Sequence, residues 1–121
     1  MNIQENNKLI AEFMGVRHTD DSKYLETLKE MKSNGLYLEQ GYMTSELHYY
    51  TDWRWLMEVM GRINDLNNVV QIHDNHVKIV NNTKSEVLVE VIAGNMFETV
   101  YKAVVEFVTL YLDSQWKNLN K

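Results

Sequence analysis

VVQIHDNHVKIV, residues 69–80, consists of two β-branched runs on either side of Asp74–Asn75. Asp and Asn tolerate the left-handed backbone conformations that a two-residue turn demands, so the stretch reads as a β-hairpin. A two-residue loop fixes its register. His73 faces His76, Gln71 faces Lys78, and the pairs Ile72–Val77 and Val70–Ile79 place four apolar side chains on one face. The opposite face carries Gln71, Lys78 and the two histidines. A third strand follows in SEVLVEVIA. A five-residue loop over 81–85 pairs Val80 with Glu86 and sets Val87 and Val89 opposite Ile79 and Val77, whereas a four-residue loop would set Glu86 against Ile79. The expectation is a three-stranded antiparallel meander over 69–92 with one clearly apolar face. Its other face, with Leu88, Ile92, Glu86 and Glu90, is only partly polar.

Immediately upstream, TDWRWLMEVMGRINDL (51–66) has helical spacing, with Thr51 as the N-cap and Asp52 adding a first-turn carboxylate that the helix dipole favours. Its apolar residues, Trp53, Trp55, Leu56, Met57, Val59, Met60, Ile63 and Leu66, span an arc of about 200°, wider than one buried stripe needs. On this reading Trp53 and Trp55 are scaffold, and Trp53→Ala costs about 3–5 kcal/mol. Downstream, a helix from Asn95 to about Trp116 has a similar arc of about 220°, with Thr99 outside it. Helix 3–14 begins at an Asn2/Glu5 capping box and stops at Gly15. Residues 16–21 read as a loop. Ser22 caps a short helix with Tyr24, Leu25, Leu28 and Met31, ended by Asn34–Gly35. Periodicity lapses over 36–50, with a short strand expected at 46–50. The fold class is α+β: a small antiparallel sheet of three to four strands layered with three to four helices, in a single domain over 1–121. Two helices with such wide arcs imply either that layered packing or a homodimer sharing the excess apolar surface.

The net charge of −5 argues against sequence-independent binding to a nucleic-acid backbone, which needs clustered cations. With no cysteine, there are no disulfides, thiolate zinc sites or cysteine nucleophiles. The start of the sequence lacks signal-peptide patterning and no run is long enough to cross a membrane, so a cytoplasmic protein that avoids membranes is expected. The five glycines, at 15, 35, 41, 61 and 94, stand alone and form no phosphate-binding loop.

His73 and His76, opposed across the hairpin and joined by Asp74, are the candidate metal ligands, although a catalytic zinc takes three protein ligands. Two ligands do not make a site, so two ordinary surface histidines are the favoured reading, and no cofactor is expected. Glu86 and Glu90 share a strand face that brings them toward this pair. No nucleophile, base and orienting group can be named together, so no catalytic residue is assigned. Tyr37, Tyr42, Tyr49, Tyr50 and Trp116 are the candidate partner-binding residues, because such rings supply large contact area at little entropic cost. The competing reading is that they close the core.

NKLIAEFMG, YYTDWRWLMEVMGRI, VVQIHDNHVKIV and ETVYKAVVEFVTLYL, in that order, resemble a group of small phage and prophage proteins similar to the phage ABA-sandwich domain. The matching residues are Trp53, Trp55, Leu56, Met57 and Val59 in one helix, and Tyr101, Ala103, Val104, Val105, Glu106 and Phe107 in another. Residues 16–35 depart from the pattern. The resemblance implies two helices around a short antiparallel sheet and transfers no catalytic residue. By analogy of class it implies a non-enzymatic accessory protein that inhibits a host defence component, such as a CRISPR effector complex, with a host protein or ribonucleoprotein as partner. The alternatives are a binder of a nucleotide signal that stacks on tyrosine and, less favoured, a small hydrolase using the His73–His76 face.

Overall fold

Asn2 opens the first helix by accepting the Glu5 amide on its side chain at 3.0 Å, and α1 runs Ile3–Met14. Glu5 does not return a bond to Asn2; its carboxylate holds Lys8 at 3.4 Å. Gly15, at φ 70, ends the helix in a Schellman arrangement, its N–H bonding Glu12 O at 3.2 Å while the Val16 N–H bonds Ala11 O at 2.9 Å. The computed structural model describes residues 2–19 and 41–119. The helix expected after Ser22 and the candidate Tyr37 lie outside them.

The chain divides into two compact units, Met1–His48 and Tyr49–Lys121. In the first, β1 (Arg17–Thr19) and β2 (Gly41–Met43) form a parallel pair, Arg17 against Gly41 and Thr19 against Met43. Residues 16–21 were expected to be loop, and RHT and GYM have no alternation that would betray a strand. The strand expected at 46–50 is absent. Thr44–Glu46 forms one 3-10 turn, closed by the Leu47 N–H on Thr44 O at 3.2 Å. The Leu47 carbonyl accepts from Asn7 Nδ2 at 3.1 Å, which ties this turn to α1.

The second unit carries the α+β architecture. Helix α2 (Trp53–Asp65) is capped by Asp52, one residue later than the expected Thr51. The Asp52 carboxylate accepts the Arg54 amide at 2.8 Å and also grips the Arg54 guanidinium at 3.0 and 3.3 Å, a pairing that a threonine hydroxyl cannot supply. Only Leu56, Val59 and Ile63 are fully buried along α2, at the i, i+3, i+7 spacing of one stripe, and Met57 is 58% exposed. The two-sided burial expected from the wide arc is therefore not found on α2.

Asn67, at φ 68, and Asn68 turn the chain from helix to strand. The Asn68 side-chain amide donates to the Leu66 and Ile63 carbonyls at 3.2 and 3.4 Å, occupying the helix end. Strands β3 (Asn68–His73), β4 (His76–Asn81) and β5 (Val87–Ile92) form the antiparallel meander in the order β3-β4-β5. The hairpin register is the expected one throughout, from Val70–Ile79 to His73–His76, with Asp74 at φ 55 in the turn.

The register of β5 differs from expectation. Val80 pairs with Val87 and Ile79 with Val89, leaving Leu88 as the extra residue of a bulge, and Val77 faces Val91. The loop between β4 and β5 causes the slip. Asn81 stays in β4, its side chain accepts the Thr83 and Lys84 amides at 3.1 and 2.9 Å, and its N–H bonds Glu86 O at 2.8 Å. Val87 is thereby turned to the outer face.

Helix α3 (Met96–Leu119) starts on Asn95, whose side chain accepts the Glu98 amide at 2.8 Å. It buries Val100, Tyr101, Ala103, Val104, Phe107 and Val108. Thr99, expected to be outside, is also fully buried, its hydroxyl satisfied by Asn95 O at 2.6 Å. The two helices make one layer, α2 along β3 and α3 across β4 and β5, over the sheet face of Val77, Ile79 and Val89. No helix among the described residues is long and apolar enough to cross a membrane.

Candidate functional site

With both helices packed on one face of the meander, alternation along the strands defines the other. It consists of three rows: Val69, Val80 and Val87; Gln71, Lys78 and Glu90; and His73, His76 and Ile92. The first and last rows leave apolar surface in water, with Val69 38%, Val87 49% and Ile92 68% exposed. The bulge in β5 decides this composition. In the expected register Lys78 faced Leu88 and Glu90 faced His76; the shift puts Glu90 directly opposite Lys78 and delivers Val87 to the same face.

Glu90 is the electrostatic centre of the face. His76 reaches it diagonally, Nε2 to Oε2 at 2.6 Å, and Lys78 Nζ stands 3.7 Å from the same oxygen. An ionised carboxylate only accepts, so the His76 Nε2 donates. That hydrogen bond is the main reason the Glu90 carboxyl titrates below its ordinary value of 4.5; partial desolvation opposes it and the Lys78 charge assists. His73 stands beside Asp74, Nδ1 to Oδ2 at 3.6 Å, with both side chains almost fully in water, a contact that contributes little. Beside these residues Gln71, Ile72, His73, His76 and Lys78 line a shallow depression of about 190 Å³.

His73 and His76 do face each other, but each is engaged by a different acid. Among the described residues no three His, Cys, Asp or Glu side chains gather closely enough to hold a metal ion. Glu90 joins His76 as the shared strand face suggested. Glu86 does not, because it falls in the loop ahead of the bulge.

The aromatic candidates separate. Tyr49 is buried and stands edge-on to Trp55 at 5.1 Å. Tyr50 is half-buried, edge-on to Tyr101 at 4.7 Å and to Phe97 at 6.0 Å, and Phe97 in turn meets Trp53 at 4.9 Å. These two rings brace the starts of α2 and α3, as the core-closing reading has it. Tyr42 is half-buried in β2, beside His18 of β1 in the parallel register. Trp116 lies in the last turns of α3, its side chain outside the described residues. Val69, Val87 and Ile92 were not singled out from sequence; the signal available was the incompletely polar second face of the meander.

The chain matches no family model, no curated protein and no solved structure.

Proposed function

We propose that the chain is a non-enzymatic accessory protein of phage or prophage type, acting in the bacterial cytoplasm by binding and inhibiting a host defence component. The observation that supports this reading is the outer sheet face, where exposed Val69, Val87 and Ile92 flank the charged pair Lys78–Glu90. Apolar area interleaved with a few oriented polar groups is what protein recognition uses. The narrower form, inhibition of a CRISPR effector complex, is an analogy by class with small, acidic, cysteine-free phage proteins; the W-x-W-L-M-x-V and Y-x-A-V-V-E-F segments carry only the resemblance in fold and origin.

The test is plaque formation by a phage that an active CRISPR system targets, in cells expressing the chain. Restored plaquing is expected; unchanged immunity across the effector types tried overturns the narrower reading. The nucleotide-binding alternative loses support from Tyr49 and Tyr50, whose rings pack against Trp55, Tyr101 and Phe97. A hydrolase keeps one favourable observation, the carboxylate-oriented His76. Retained biological activity after His73→Ala and His76→Ala together removes it.

A further inference from the structure

The two edges of the meander differ in a way that bears on how a partner binds. Native sheets protect edge strands with charged residues, proline, bulges or short length, because an edge offers unpaired N–H and C=O groups to any passing strand. Strand β5 has two of these protections, the bulge at Leu88 and the charge of Glu90. β3 has none of them. It is six residues long, NVVQIH, paired with β4 in unbroken register, and contains no proline and no acidic or basic residue other than His73.

The ladder shows which groups are on offer. Antiparallel strands bond through alternate residues, and the Asn82 N–H to Asn67 O bond of 3.0 Å sets the phase. Residues 69, 71 and 73 therefore bond toward β4, while Val70 and Ile72 turn their N–H and C=O groups to the open side. Among the described residues nothing pairs with that side. Val69 and Ile72, on opposite faces of the strand, are 38% and 40% exposed. The depression lined by Gln71, Ile72, His73, His76 and Lys78 adjoins the same edge and can seat one side chain of an added strand.

We infer that β3 is a strand-addition site, at which an extended segment of the partner protein pairs with Val70 and Ile72 and makes the sheet four-stranded. This rests on the reading of the chain as a binding protein and names the mode of binding. A second copy of the chain is a poor occupant. Adjacent strands lie about 4.8 Å apart whereas packed helices need about 8–10 Å, and α2 lies along β3, so two copies joined at β3 would drive their α2 helices together. A single extended segment has no such helix. The uncharged edge on a chain of net charge −5 selects an apolar segment that is neutral or basic.

Amide hydrogen exchange on the full chain, with light scattering to report its oligomeric state, tests the site directly. In the free monomer the Val70 and Ile72 amides are expected to exchange at least roughly tenfold faster than those of Val69 and Gln71. Equal protection means that the edge is already covered and overturns the inference, as does dimerisation through β3. The probe is a synthetic blocked peptide of alternating valine and threonine with a lysine at each end. At about 1 mM, where a weak complex forms, it is expected to slow both amides in the parent, and to slow the remaining Val70 amide less in Ile72→Pro, which removes an outward N–H without touching the β4 ladder. No slowing at either amide overturns the inference. Ile72→Lys, which places a protective charge on the edge, gives the same reading if the proline variant fails to fold. In the plaquing assay, a folded Ile72→Pro or Ile72→Lys that inhibits as well as the parent overturns strand addition and leaves the function standing. A parent chain that does not inhibit overturns the function, and the peptide result then judges the edge alone.

Discussion

Asp52 and Glu90 show how much one carboxylate organises in this chain. Asp52 satisfies an α2 amide and holds Arg54 through two further bonds, which also raises the Arg54 pKa. Asp52→Ala is expected to lower unfolding stability by about 1 kcal/mol, the usual cost of a lost N-cap, read from the urea midpoint. Glu90 carries a pH dependence whose sign follows from its lowered pKa. Its ionised form is favoured more in the folded chain than in the unfolded one, so its contribution is complete above the ordinary value of 4.5 and fades as pH falls through the folded value. Between about pH 6 and pH 3 the parent is therefore expected to lose more stability than Glu90→Gln, in paired urea titrations at each pH. Trp53 is half-buried against Phe97, not enclosed, so Trp53→Ala is expected to cost about 2–3 kcal/mol, below the roughly 3–5 of a fully buried ring.

The elements were legible in the sequence where a local signal fixed them. Asp74–Asn75 sets the hairpin to the residue, because a two-residue loop leaves no freedom of register and a slip of one would turn Val77 and Ile79 to solvent. Asp74→Ala is accordingly expected to destabilise by about 1 kcal/mol, the cost of a left-handed backbone for a residue with no local hydrogen bond, while Asp74→Gly escapes that strain; thermal unfolding of both variants checks this. The strand β5 was misregistered because Val87, Leu88 and Val89 are all apolar, so hydrophobicity accepts more than one alignment; the Asn81 turn, invisible as a pattern, decides. The parallel β1–β2 pair joins short polar pieces distant in sequence and leaves no periodic trace. For the candidate site, the approach of Glu90 to His76 was legible from alternation along the strand, whereas Glu86, assigned to the same face, falls in the loop ahead of β5. The fate of the tyrosines was not, since Tyr49 and Tyr50 have similar neighbours in sequence and differ in which rings they meet in space.

At the scale of the molecule, the α+β arrangement of helices and an antiparallel meander among the described residues follows from segments that each declare themselves locally, and this has a kinetic consequence. Two residues separate α2 from β3, two separate β3 from β4, five separate β4 from β5 and three separate β5 from α3. Contacts between successive elements therefore close small loops, the condition under which mixed domains cross their folding barrier quickly. The 121 residues also contain no proline, which removes the prolyl isomerisation that slows refolding to tens of seconds in many chains. Stopped-flow refolding followed through tryptophan fluorescence is expected to finish within about a second, with no phase on the tens-of-seconds scale of isomerisation. A newly made chain of this kind is ready to act almost as soon as it is released, and an edge such as β3 stays unpartnered in a half-folded state only briefly.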